Sequence, residues 1–382
     1  MRRPLRVTQI SLAVGALALV AACAPPSSSG TSGGATSGST AAAADPKTAT
    51  SAEQFGGLAA LEAAAKKEGA LNVIALPPDW ANYGNIIKAF SAKYPEIKVN
   101  SAQPDGSSQD EINAVKQLKG TDRAPDVLDV GQAVGLANTD LYAPYQVATW
   151  AEIPDSQKEP TGLWVNDYGG FMAIGYDSAK VPAPTSVADL LKPAYKGKVA
   201  LNGDPTAANA ALTGVAMAAV AQGGSLDDIS KGVEFFSQLK KAGNFIPVQA
   251  NTATVKNGTT PVVFDWDYLS ASATAQVPTW KLFVPQDATV GGYYNQAINS
   301  GAPHPAAARL WEEFLFSDAG QNLWLAGGAR PVRMDAMTKA GTIDAAAAAK
   351  LPPVGPAPVF MSNDQATAAK TYLTANWAKA IG

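Results

Sequence analysis

Apolar residues along this chain fall into short runs of two kinds. Some are continuous and three to eight residues long; others recur every three or four positions. The continuous runs at 71–76, 97–100, 126–130, 171–177, 198–201, 262–264, 282–284 and 291–298 read as strands buried on both faces. The periodic runs predict helices. Residues 52–67 end at Gly69, and residues 83–93 carry Ile86, Ile87 and Phe90 on one face with Pro95 just beyond. A helix over 108–118 opens on Asp105-Gly106-Ser107-Ser108, with Glu111 three residues after Ser108 as in a capping box. Further helices are expected over 206–221, with Pro205 at the start, and over 227–242, 270–275 and 306–316. The first part reads β-α-β-α-β, which predicts a parallel sheet with right-handed crossovers and an α/β fold.

Composition changes the picture at the N-terminus. Arg2, Arg3 and Arg6 precede an apolar stretch from Ile10 to Ala22, too short for a membrane span. It ends Val20-Ala21-Ala22-Cys23, similar to a bacterial lipobox. Residues 1–22 are then a lipoprotein signal peptide, and Cys23 the lipidated first residue that anchors the chain outside a membrane. The alternative is an ordinary signal peptide with a chance cysteine. Residues 23–50 are mostly Pro, Ser, Gly, Thr and Ala, the composition of a flexible tether. About 330 residues remain, a length that suits roughly two domains.

Charge and residue counts exclude several chemistries. Net charge is -3, so there is no basic field for nucleic acid. His304 is the single histidine and Cys23 the single cysteine, too few for a His/Cys zinc site. A serine hydrolase triad would depend on His304, and no G-x-S-x-G elbow is present. Paired carboxylates for glycosidase-like work are the only catalytic feature, and they fall two residues apart or on different parts of the chain. The enzyme reading therefore starts weak, and no cofactor or resident metal is expected.

The candidate chemistry centres on Val262-Val263-Phe264-Asp265-Trp266-Asp267-Tyr268. A short buried strand runs into two carboxylates around a tryptophan, then a phenol. Open α/β sheets bind ligands at the carboxyl ends of their strands. Carboxylates beside an indole face suit a ligand with positive charge. The plainer alternative is a strand end with solvated acids.

The order of segments resembles the extracellular solute-binding proteins of ABC importers, over about 71–333. The spermidine/putrescine-binding branch is the most similar, with ferric-ion and phosphonate binders as cousins. The run Pro184 to Val199, PTSVADLLKPAYKGKV, carries the most specific likeness. Ile174-Gly175-Tyr176 and the stretch Ala307 to Gln321 add to it. The resemblance implies a two-lobe type II periplasmic-binding fold with a ligand cleft between the lobes. Lobe 1 would be 51–165, with 288–340 returning to it, lobe 2 would be 166–287, and 341–382 a helical tail. Such a monomer captures a small solute and passes it to a permease and its ATPase.

The resemblance also implies site residues. Trp80, after Asp79 at the end of the first strand, and Trp266 match stacking aromatics, and Asp204 matches a carboxylate that pairs with an ammonium. Ala207 stands where the polyamine binders have a glutamate, and Tyr293, Tyr294, Asn295 and Gln296 are neutral where they have an acid. Asp265 and Asp267 would supply the missing charge, with Tyr268 beside them. Gln132 follows the third strand. Ser107, Ser108 and Thr206 open helices and would serve either an anionic group or plain capping. The expected solute is a small cation or zwitterion, polyamine-like or aminophosphonate-like. The alternatives are an anionic solute, ferric ion at the tyrosines, or a surface lipoprotein without a transport role.

Overall fold

The computed structural model describes residues 45–382. The expected signal peptide, Cys23 and most of the tether lie outside them. The last tether residues, 45–50, are seated: Ala49 is buried and its carbonyl accepts from Arg309 Nε at 2.7 Å. Arg309 is itself buried, and Nη1 donates to Pro305 O at 3.0 Å. Residues 47–49 are thus clamped to the helix Pro305–Leu315.

Strands β1 (Ala70–Ile74) and β2 (Lys98–Ala102) pair in parallel, from Ala70↔Lys98 to Ile74↔Ala102. The helix Tyr83–Lys93 connects them and buries Tyr83, Ile86 and Phe90. The expected third parallel strand, β3 (Val127–Gly131), does not join this ladder. It still lies beside β1: just before it, Asp126 N donates to Asn72 O at 2.9 Å and Asn72 N to Asp126 Oδ2 at 2.6 Å. Its ladder partner is a strand from late in the chain, so the predicted three-stranded parallel sheet is divided.

That late strand comes after β4 (Tyr142–Ala143), β5 (Val165–Asp177), β6 (Val199–Leu201), β7 (Phe245–Gln249), β8 (Val262–Trp266) and β9 (Trp280–Phe283). It is β10 (Val290–Asn299), antiparallel to β3 with Gln296 opposite Asp129. The expected re-entry of residues 291–298 into the first sheet therefore takes the form of antiparallel pairing with β3. Two short strands, β11 (Arg330–Pro331) and β12 (Val359–Phe360), complete the set.

Strand β5 links the two halves of the molecule. The strand expected over 171–177 extends back to Val165, giving one strand of 13 residues. Its first half pairs with β10, and its second half pairs antiparallel with β8 and β9. The second half of the sheet continues through β6, parallel to both β8 and β7. Nearly all of β5 is buried, because it is covered on both sides where the halves meet.

Several helix boundaries differ from expectation. Ser107, not Ser108, caps the helix Ser108–Gln117, and its box partner is Asp110. The helix expected from Thr206 starts at Asn209, because Asp204 Oδ1 accepts from Thr206 N at 2.8 Å and holds a separate turn first. The helix expected over 270–275 is Asp267–Ala273 and begins directly at the end of β8. The tail forms the helix Asn363–Ile381, which buries Ala366, Ala369, Leu373, Trp377 and Ile381 at helical spacing. Among the described residues, no helix is long and apolar enough to cross a membrane.

Candidate functional site

The carboxyl ends of β1, β3, β6 and β8 point toward the crossing strands β5 and β10, and the predicted aromatics meet there. From β1 the chain turns through Ala75, Ala81 and Asn82, whose φ angles of 54°, 44° and 71° lie in the left-handed region. Such backbone is costly and persists only where its surroundings impose it. Here Asn82 Nδ2 is tied to Leu323 O at 2.7 Å. The turn presents Trp80, whose Nε1 donates to Tyr168 OH at 2.7 Å.

Around Trp80 the rings of Tyr294 and Tyr268 stand edge-on at 5.8 and 6.3 Å. Trp266 stacks on Tyr268 at 6.1 Å, and its Nε1 donates to Tyr294 OH at 3.2 Å. Tyr168 stacks on Tyr294 at 5.5 Å. Four expected site aromatics, Trp80, Trp266, Tyr268 and Tyr294, thus come from three separate stretches into one cluster. Tyr168 completes it.

Other expected residues sit nearby but are already engaged. Asp267 is buried, accepts from the backbone N–H groups of Phe171 and Tyr268, and forms an ion pair with Arg330. Arg330 also lies 4.7 Å over the Phe171 ring. Asp267 is therefore neutralised within the protein, and Arg330 is committed to it. Arg333 is likewise paired with Glu152 and Asp318. Asp265 accepts from Asn202 Nδ2 and from Trp266 N, both at 2.8 Å, and burial raises its pKa to about 7. Asp204 is turned onto Thr206, whose carbonyl accepts from Lys370 Nζ at 2.7 Å. Ser107 caps its helix, and Ser108 Oγ accepts from Gly131 N at 2.9 Å. Asp79 is exposed. Gln132 and Tyr293 line a cavity of about 40 Å³ with Asn166, Asn209 and Phe360, and Gln132 donates to Asn363 at 2.8 Å.

The residues that sequence reasoning passed over lie deeper. Asp129 is the central residue of β3, in a run otherwise buried and apolar. Its Oδ2 accepts from Tyr83 OH at 2.8 Å and Tyr168 OH at 2.9 Å. Gln296, opposite it on β10, donates through Nε2 to Tyr83 OH at 3.0 Å and to Asp167 Oδ2 at 2.9 Å. Glu111 accepts from Asp129 N at 3.0 Å. Burial raises Asp129 to about 7, against the pull of the two phenol hydrogen bonds. Burial also lifts Asp167, and the neighbouring Asp129 charge lifts it further. The visible signal was an acid within an apolar strand, Val127-Leu128-Asp129-Val130, which costs free energy unless it is used.

Two lobes joined by crossing strands, with aromatics and carboxylates between them, define the class of a solute-binding protein. The family model for bacterial extracellular solute-binding proteins matches residues 126–353, more than half of the chain. The chain belongs to that family, and its fold is the two-lobe periplasmic-binding fold.

Solved structures are similar in fold. One is the binding protein AgtB from A. tumefacien R10 in complex with agropinic acid, 16% identical, covering 82% of this chain and 98% of that one, with a TM-score of 0.64. Iron-bound HitA from Pseudomonas aeruginosa is 18% identical over 82% and 99%, TM-score 0.58. The spermidine/putrescine substrate-binding protein PotD from Streptococcus pneumoniae is 16% identical over 82% and 99%, TM-score 0.54. No curated protein matches at the level of sequence. The chain is thus the solute-binding component of an ABC importer family, whose members work outside the cytoplasm.

Proposed function

We propose that this protein is anchored by lipid at Cys23, captures a small cationic or zwitterionic solute between its lobes, and delivers it to a membrane permease. The observation that carries this reading is the charge inventory of the site. Asp129, Asp167 and Asp265 lie beside the aromatic cluster, while the nearby cations Arg330 and Lys370 are already bound to Asp267 and the Thr206 carbonyl. Acids without a free base, set among ring faces, favour positive charge. Ferric ion is less well served. Burial and the neighbouring acids hold Tyr83, Tyr168 and Tyr268 well above the usual phenol range, so they are poor phenolate donors.

The test is a titration of the purified mature protein with putrescine, 2-aminoethylphosphonate and inorganic phosphate, followed by tryptophan fluorescence. Trp80 and Trp266 would report binding directly. A response to the amines supports the reading; a response to phosphate alone transfers it to an anionic solute. For the anchor, Cys23→Ser is expected to release the protein from the membrane fraction, and retention of that variant would refute lipid anchoring.

A further inference from the structure

Asp129 and Gln296 are direct cross-strand partners on β3 and β10, so their side chains lie side by side on one face of the pair. Tyr83 OH joins them, donating to Asp129 Oδ2 and accepting from Gln296 Nε2. Each side chain has one polar atom left over. Asp129 Oδ1 and Gln296 Oε1 are buried and have no hydrogen-bond partner among the described residues. Both are acceptors. Asp167 lies against Gln296, and no base enters the group. The titratable groups facing Asp129 are Tyr83, Glu111 on the helix Ser108–Gln117, Asp167 and Tyr168 on β5, Tyr268, and Tyr294 on β10. None is cationic. Orphaned buried acceptors are rare and need an explanation.

We infer that Asp129, Asp167 and Gln296 form the seat of the solute's ammonium group, in exchange for a proton. This rests on the reading of the protein as a binder of cationic or zwitterionic solutes, and it moves the counter-charge from Asp265 and Asp267 to β3 and β5. A protonated amine brings the N–H donors that both orphan oxygens lack, whereas a quaternary ammonium does not. A metal is less suited, since the described residues contain no group of three or more His, Cys, Asp or Glu able to hold one. Trp80 reaches the same place through Tyr168, so the alkyl part of the solute would lie along the aromatic cluster. Before binding, burial keeps a proton on the Asp129–Asp167 pair near neutral pH. When the ammonium arrives, that carboxyl proton leaves to solvent and the carboxylate pairs with the N–H donors. Charge and atoms balance: one ammonium in, one proton out.

Isothermal titration of the full chain with putrescine, at pH 7 in buffers of different ionisation enthalpy, counts the protons released. The expected result is net release, with affinity falling as pH drops below about 7. Asp129→Asn should weaken putrescine by roughly 100-fold and abolish both the release and the pH dependence. Circular dichroism melts would show that the variant folds. If the wild type binds neither putrescine nor 2-aminoethylphosphonate, the cationic reading and this assignment fall together. If it binds putrescine without proton release, or Asp129→Asn retains wild-type affinity, the cationic reading stands and this seat is wrong.

Discussion

At the scale of single residues, the site places acids where burial works against their charge. Asp129 holds its proton up to about pH 7 in the folded chain, whereas an unfolded aspartate loses it near pH 4. The folded state therefore binds more protons than the unfolded state between these values. The stability from this group is fully present at the acidic end and is lost as pH rises toward 7. Asp129→Asn removes that slope. Thermal melts should show a variant more stable than the wild type at pH 8, with a smaller difference at pH 5. A variant that is less stable at pH 8 would mean that the charged carboxylate is well solvated in the fold. Together with the expected loss of binding, such a gain would mark Asp129 as a residue kept for function at a cost to stability. Burial raises the pKa of Asp267 as well, but there Arg330 and two backbone N–H groups pull against it from inside the protein.

At the scale of elements, the tail helix Asn363–Ile381 is the clearest case of a segment whose role depends on packing. Its sequence is rich in small and polar residues. It is held by a stripe from Ala366 to Ile381 against the helices Ser230–Lys241 and Gln132–Leu136. Trp377 meets Phe236 at 5.5 Å and Phe245 at 6.3 Å. Leu373 is fully buried, so Leu373→Ala is expected to cost about 2–5 kcal/mol, measurable by urea unfolding. A loss under 1 kcal/mol would show that the helix is only loosely docked. Most strands and helix cores were legible from apolar runs. The boundaries that shifted did so for local reasons: Ser107 and Asp110 cap each other ahead of Ser108, and Asp204 closes a turn before Asn209.

At the scale of the whole molecule, the site is shut. Asp129, Asp167 and Gln296 are all buried, and none of them lines the cavity of about 40 Å³ beside Gln132, so a solute can enter only if the lobes part around β5 and β10. Gly131, at the end of β3, marks how closely they meet. A Cβ there would stand 2.2 Å from Asn209 Cβ, at the start of the helix that follows β6. Gly131→Ala is expected to hold the lobes apart, weakening putrescine binding at least tenfold while leaving the melting temperature nearly unchanged. Unaltered affinity would show that the β3 and β6 ends do not close on one another around the solute.

The sequence alone determined what depends on local pattern and inventory. Strand and helix cores follow from hydrophobic period, and the scarcity of His and Cys limits the chemistry. The aromatic members of the site were also visible, because Trp80, Trp266 and Tyr268 follow or end apolar strands and Tyr294 stands within one. Only the tertiary structure decided which groups meet. The antiparallel return of β10 onto β3 sets Gln296 opposite Asp129, and the continuity of β5 sets Asp167 and Tyr168 beside them. Pairing across more than a hundred residues leaves no periodic trace in sequence. The worth of a carboxylate depends on its neighbours: Arg330 neutralises Asp267, while Asp129 Oδ1 is left facing no donor.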